Sequence, residues 1–456
     1  MSSAVLAGFF LSLVIMFVFA IRFPALAIPL GIMTYAYKQI ASLAVPTFQT
    51  RGPLFNYMMA AMIAVIYLYN IIVRNPGVNC WTKSGKTLQV LTWAFLGFFW
   101  ISIMWSPYYG ADSWRFLPYF LVYFAMLPSL TESPELMLRA YIAVWALTLL
   151  ATLGLMVSPA FHLSPDIGRL VVHFQVGQYD EGNPLAIADM GAYLIILSTC
   201  ILLMQTTQRE NRGLPKTLWL LAGATGLVMG LWLTFNTSRG ETFTGIACAC
   251  VLVSLVKGRD LAQYAKWMVY QVAFLAALSA IVFFSILPKN KIAELSWRYS
   301  ASSMAEASND RMGLSAKTIE MALSSPRNLL VGIGARGCEK RLGIYPHNHF
   351  VQAFGETGII GFGMLCLACL LAFRFGFRTL ALARQQAQQP TVIFAALMLS
   401  LFIYQLIVLS KKGSLTFVDT VMWLGIATFG FDRAQFMLER ARDAQTSPAL
   451  DGSERG

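Results

Sequence analysis

Long apolar runs separated by short polar ones dominate the chain from its first residues to about residue 432. A helix needs about 20 apolar residues to cross a bilayer. The candidate stretches are 4–21, 25–46, 54–73, 88–105, 115–130, 138–157, 185–205, 217–235, 241–256, 267–287, 357–376, 392–410 and 415–432. The stretch 1–46 is the most broken, because Arg22, Pro24, Pro29, Lys38 and Pro46 interrupt it. One span plus a broken or interfacial helix fits that region. The expectation is an all-α polytopic membrane protein of about twelve transmembrane helices with both ends on one side. Two connections are long, 158–184 and 288–356, and the others are short. The implied layout is transmembrane helices over 1–287, a loop subdomain at 288–356 containing short helices, transmembrane helices again over 357–432, and a tail at 433–456. Within the large loop, Met312, Ala316, Ile319 and Leu323 recur at helical spacing, with Ser308 to Asp310 as a candidate cap and Ser324-Ser325-Pro326 as a stop. A glycine-rich turn follows, and His347 to Phe350 begins a helix leading back into the membrane.

Composition narrows the class. The chain has 456 residues, 57% hydrophobic and only 12% charged. A soluble fold cannot hide that many apolar side chains, so a soluble enzyme and a disordered chain are both excluded. The net charge of +12 sits mainly between apolar runs, which points to lipid and the positive-inside rule and not to nucleic acid. Arg74, Lys83 and Lys86, then Arg209, Arg212 and Lys216, then Lys257, Arg259 and Lys266, then Arg374, Arg378 and Arg384, and finally Arg433, Arg440 and Arg442 all fall on one side when spans are counted between them. That side is read as cytoplasm, and both long connections lie outside. Lys411 and Lys412 break the pattern and fall outside too. The N-terminus lacks the basic stretch and cleavage site of a signal peptide, so the first apolar run is expected to remain. Seven cysteines show no pairing pattern, and no disulfide is expected.

Candidate chemistry concentrates in the outer connections. All four histidines, His162, His173, His347 and His349, lie there, and imidazole is the side chain suited to take a proton near neutral pH. His347 is the sharpest candidate for catalysis, set between Pro346 and Asn348 just before the membrane. A capping or interfacial histidine is the plainer alternative. Asn348 and His349 are read as supporting. Arg239, in Asn236-Thr237-Ser238-Arg239-Gly240, is either an interfacial arginine paired with Glu241 or a phosphate ligand, since guanidinium matches phosphate bidentately. Arg298 and Arg311, with Arg327, Arg336 and Arg341, are further phosphate candidates in the large loop, most of them expected to be solvated; Arg169 is a weaker one. Gly332-Ile333-Gly334-Ala335-Arg336-Gly337 matches a dinucleotide fingerprint by letter only, and without a strand–helix unit around it reads as a turn. Gly226 and Gly230 suggest close helix packing. No metal-ligand cluster, Walker motif or nucleophile elbow is present in the sequence, so no metal or cofactor is expected.

The order Arg311, Pro326, Gly332-Ile333-Gly334, His347-Asn348, Glu356-Thr357-Gly358 and Gly361 resembles the signature of the O-antigen ligase and polymerase superfamily. Ser238-Arg239-Gly240 and Gly182-Asn183-Pro184 resemble two further pieces of it. The resemblance covers some 150 residues. It implies a helical glycosyltransferase of the bacterial inner membrane that takes glycan from undecaprenyl diphosphate at the periplasmic face. Ligases pass that glycan to a sugar hydroxyl of lipid A–core; polymerases pass it to another lipid-linked repeat. The family histidine corresponds to His347, and the family arginines to Arg239 and to Arg298 or Arg311. The late position of the large loop favours the ligase, and the extra C-terminal region of protein-modifying relatives is missing.

Under that resemblance the expected reaction is metal-independent and inverting. The diphosphate is already a good leaving group, so only the acceptor hydroxyl needs a base, and His347 supplies it. Arginines stabilise the departing diphosphate. Lys411 and Lys412 are expected to meet lipid phosphates. The alternatives are a polymerase of the same superfamily and a non-enzymatic polysaccharide or lipid transporter. A transporter should show internal repeats and broken helices at the midplane, which the sequence does not offer.

Overall fold

The computed structural model describes residues 2–45, 47–50, 52–74, 82–108, 121–164, 169–173, 183–207, 215–282, 300–412, 415 and 419–446. Nearly all of them are helical. In chain order the main elements are α1 (Ser2–Arg22), α2 (Ala27–Ile32), α3 (Thr34–Ala44), α4 (Gly52–Tyr69), α5 (Lys83–Ile101) and α6 (Pro134–Met156), then a hairpin of β1 (Phe161–Ser164) and β2 (Arg169–Val172). There follow α7 (Pro184–Thr207), α8 (Lys216–Thr237), α9 (Arg239–Lys257), α10 (Leu261–Ile281), α11 (Ala301–Leu323), α12 (Pro326–Val331), α13 (Gly337–Leu342), α14 (His349–Gln385), α15 (Gln389–Lys412) and α16 (Asp419–Thr446).

Nine helices among the described residues are long and apolar enough to cross a membrane: Leu54–Val73, Lys83–Trp105, Pro134–Met156, Pro184–Thr206, Lys216–Thr237, Arg239–Lys257, Leu261–Ile281, His349–Gln385 and Gln389–Lys412. Large apolar side chains face outward along them, including Val65, Val90, Val269, Phe274 and Leu370. In water such a surface is costly; in lipid it is the expected one. The interior is organised around α7 and α15. Residues 392–402 of α15 are buried on every face, as a helix at the centre of a bundle must be. Small residues let α7 and α8 touch. A methyl added at Gly230 lies 2.8 Å from the Gly191 carbonyl, and one at Gly226 would strike the Ser198 hydroxyl that the Trp145 indole N–H reaches at 2.9 Å.

Several boundaries differ from the sequence reading. The stretch 25–46 is broken, as its prolines suggest, into a 3-10 turn at Pro24–Leu26, α2 and α3. In 115–130 only the part from Leu121 is described, and it is an irregular turn of helix. The tail expected from residue 433 is helical as far as Thr446, continuous with α16. In the large loop α11 begins at Ala301, so Ser308 to Asp310 lie inside the helix and do not cap it. The polar residues 301–310 carry no apolar period to announce that start. Among its described residues the smaller connection is mostly not helical. It holds the antiparallel hairpin, with Phe161 opposite Val172 and Ser164 opposite Arg169, built on the buried β-branched pair Val171 and Val172.

Which helix ends lie together is fixed by hydrogen bonds. At one end of the bundle the Arg384 guanidinium donates to the Leu255 carbonyl and to the Tyr264 hydroxyl, Gln386 donates to the Leu438 carbonyl at 3.0 Å, and Thr82 donates to Asp432 through its amide and hydroxyl. Lys83, Lys257, Arg259, Arg384 and Arg433 therefore gather at that end. The junction of α8 with α9, the start of α7 and the end of α15 gather at the other.

The large loop is tied to that second end by a break in α14. Gly358 has φ 63° and ψ −166°, a region open essentially to glycine alone. The break frees the carbonyls of Gly355 and Glu356, which must find donors. The amides of Ile333 and Gly334 supply them at 3.0 and 2.9 Å. Gly332, also at positive φ, passes so close that a methyl there would sit 2.2 Å from the Glu356 backbone. On the far side of the turn the Ala335 amide donates to the Ser102 hydroxyl and the Ser106 hydroxyl to the Ala335 carbonyl. The glycine-rich segment is thus a turn, as its letters imply, locked between α5 and the break in α14.

Candidate active site

A cavity of about 370 Å³ opens at the second end of the bundle. Its wall includes Arg169, Arg239, Arg311, His347, Asn348, Lys411 and Lys412. These side chains come from β2, the start of α9, α11, the approach to α14 and the end of α15, which are distant in sequence and adjacent here.

Ser238 alone joins α8 to α9, in extended conformation. Its hydroxyl donates to the Glu241 carboxylate, and its carbonyl accepts the Thr242 amide at 3.1 Å. Arg239 consequently occupies the first turn of α9, where free backbone N–H groups already favour an anion. Lys412 reaches the Glu241 carboxylate at 3.2 Å and that of Asp189 at 2.7 Å. The Asp189 carboxylate also accepts from the Tyr404 hydroxyl at 2.6 Å. With its side chain 14% exposed and bonded to two carboxylates, Lys412 is not a lipid-phosphate contact, contrary to the sequence reading. Lys411 donates to the Gly240 carbonyl at 3.1 Å and the Thr244 hydroxyl at 2.7 Å. Both lysines end a helix, where its dipole favours cations.

His347 faces this floor. It follows the buried Pro346 with φ 59°, uncommon for a residue with a side chain. Asn348 caps α14, its side-chain oxygen accepting from the amides of Phe350 and Val351 at 3.0 and 3.1 Å. That cap fixes where the helix starts and so where the preceding imidazole stands. The Tyr345 ring packs 4.3 Å from the His347 ring. Partial burial and the Arg311 charge hold the imidazole pKa below its ordinary value, because both disfavour a second positive charge. Both effects favour the neutral imidazole, which has a lone pair to accept a proton.

Of the residues singled out by sequence, His347, Asn348, Arg169, Arg239 and Arg311 meet at the cavity. Arg298 lies outside the described residues. His349 is buried in the first turn of α14 and does not line the cavity. His162 and His173 stack on each other in the hairpin, ring centroids 3.6 Å apart, away from the cavity wall. Arg327 and Arg341 are exposed, as expected. Arg336 is not solvated: it pairs with Glu339 at 3.0 Å and lies 3.9 Å over the Tyr108 ring. Sequence reasoning missed Lys411, Lys412, Glu241 and Asp189 as parts of one site. Its signal was the lysine doublet itself, the one short basic stretch on the wrong side of the charge pattern. Among the described residues no group of three or more His, Cys, Asp or Glu side chains is disposed to hold a metal. The chain matches no family model and no curated protein.

Proposed function

We propose that this chain is an O-antigen ligase: a glycosyltransferase of the bacterial inner membrane that moves O-antigen glycan from undecaprenyl diphosphate to a sugar hydroxyl of lipid A–core at the periplasmic face. The observation that carries the reading is the convergence of a neutral imidazole, His347, with Arg239, Arg311 and Arg169 on one cavity at a helix-end surface. The end opposite, rich in lysine and arginine, is assigned to the cytoplasm by the positive-inside rule, which turns the cavity to the periplasm. Nine of the described helices are long and apolar enough to span, and the reading takes about twelve spans in all.

The chemistry follows from the inventory. The acceptor hydroxyl oxygen attacks the anomeric carbon and its proton passes to the His347 imidazole. The bond from that carbon to the diphosphate oxygen breaks, and undecaprenyl diphosphate leaves as the anion. Arg239, Arg311 and Arg169 offset the charge that gathers on it. A single displacement inverts the anomeric centre. The family resemblance of Ser238-Arg239-Gly240, Gly332-Ile333-Gly334, His347-Asn348 and Glu356-Thr357-Gly358 points the same way.

The test is transfer in vitro by purified, reconstituted protein with defined lipid-linked donor and lipid A–core acceptor. Wild-type protein is expected to glycosylate the acceptor. His347→Ala, still membrane-embedded, is expected to lose at least about 10²-fold in rate, the usual weight of a general base. Transfer at the wild-type rate in that variant removes His347 as the base. Joining of donor repeats to each other, with lipid A–core untouched, makes the chain a polymerase instead.

A further inference from the structure

The two lysines that end α15 are neighbours in sequence but have different electrostatic surroundings. Lys412 is matched twice over, by Asp189 and by Glu241, and also donates to the Leu185 carbonyl at 3.3 Å. All three of its N–H donors are directed into the protein. Among the described residues Lys411 hydrogen-bonds uncharged oxygens, the Gly240 carbonyl and the Thr244 hydroxyl, and meets the Glu241 carboxylate through its field and not through a bond. A primary ammonium has three donors, so one remains for the cavity that Lys411 lines.

Its position is built. A methyl at Gly240 would come within 3.3 Å of the Lys411 nitrogen, so the glycine beside Arg239 lets the ammonium rest on the first turn of α9. Arg239 and Lys411 thus flank the same helix N-terminus. The cavity wall carries Arg169, Arg239, Arg311, Lys411 and Lys412, and among the described residues the carboxylates Glu241, on the wall, and Asp189, behind it, are both engaged by Lys412. A wall built largely of cationic side chains and partly shielded from water is suited to a multiply charged anion.

We propose that Lys411 is a ligand of the donor diphosphate, holding a phosphoryl oxygen from the α15 side while Arg239 holds the group from the α9 side, and that Lys412 sets the position of the floor beneath them. The proposal rests on the glycosyltransferase reading above. It also accounts for the doublet against the charge pattern: one lysine serves the fold and the other serves the substrate.

Binding is the test, independent of transfer. Farnesyl diphosphate is titrated into the full-length protein in nanodiscs and followed by calorimetry. Wild-type protein is expected to bind it. Lys411→Gln is expected to weaken binding roughly tenfold, the weight of one charge-assisted hydrogen bond, and Lys411→Arg to restore most of it. Wild-type affinity in Lys411→Gln overturns the Lys411 assignment and leaves the donor reading standing. No binding by the wild type overturns both, beginning with the donor reading. Should Lys411→Gln not fold, an amine-reactive acylating reagent on wild-type protein, read by mass spectrometry, replaces it. Farnesyl diphosphate is expected to protect Lys411 where farnesol does not, and unchanged labelling at saturating diphosphate overturns the assignment.

Discussion

At the scale of single residues the proposed reaction depends on protonation at His347. A base works only when neutral, so activity is present above its pKa and lost below it. Burial and the Arg311 charge both push that pKa down from the usual imidazole value of about 6.5, which extends the active range toward acid. The acid limb of kcat/KM against pH is therefore expected to have its midpoint below 6.5. Arg311→Gln removes one cation and is expected to move the midpoint upward while weakening the donor's KM. An active Arg311→Gln variant with an unmoved midpoint disconnects the two residues. His347 and Arg239 were legible in the sequence because each is a polar residue set against an apolar run, where a side chain with no task would be apolar. The partners of Lys412 were not legible. Asp189 stands 223 positions from it, and only the crossing of α7, α9 and α15 brings the carboxylates to the ammonium.

At the scale of elements, the features the sequence discloses are those with a period or a breaker. The long helices follow from unbroken apolar runs, and the fragmentation of residues 24–44 from Pro24 and Pro29. The hairpin was hidden, because four-residue strands are too short for alternation to register. The start of α11 was hidden by its polar first turns. The element most directly tied to the site is α14, whose kink at Gly358 is held by the turn through Gly332 and Gly334. A side chain at Gly358 faces both a positive φ and the Leu330 backbone, 2.4 Å from an added methyl. Gly358→Ala is expected to cost at least about 1–3 kcal/mol, seen as a lower Tm in detergent together with reduced transfer. Gly363→Ala is the matched control on the same helix, since its added methyl meets nothing within 4 Å, and it is expected to keep both. Equal behaviour of the two variants means that the kink does not support the site.

At the scale of the whole molecule the two ends of the bundle differ in kind. One collects helix-terminal lysines and arginines; the other carries the cavity and the large loop. In a cysteine-free background, Ser324→Cys on the loop is expected to react with a membrane-impermeant maleimide added to intact spheroplasts. Ala387→Cys, in the connection between α14 and α15, is expected to react only after permeabilisation. The reverse pattern inverts the orientation and removes the periplasmic assignment. If the proposed transfer of polymer chains is right, the modest size of the cavity has one further consequence. A space of about 370 Å³ admits a diphosphate and the sugar attached to it, and the rest of the chain must trail into open water. Such a machine inspects the joint and ignores the length of the cargo, so a short glycan and a long one present it with the same task.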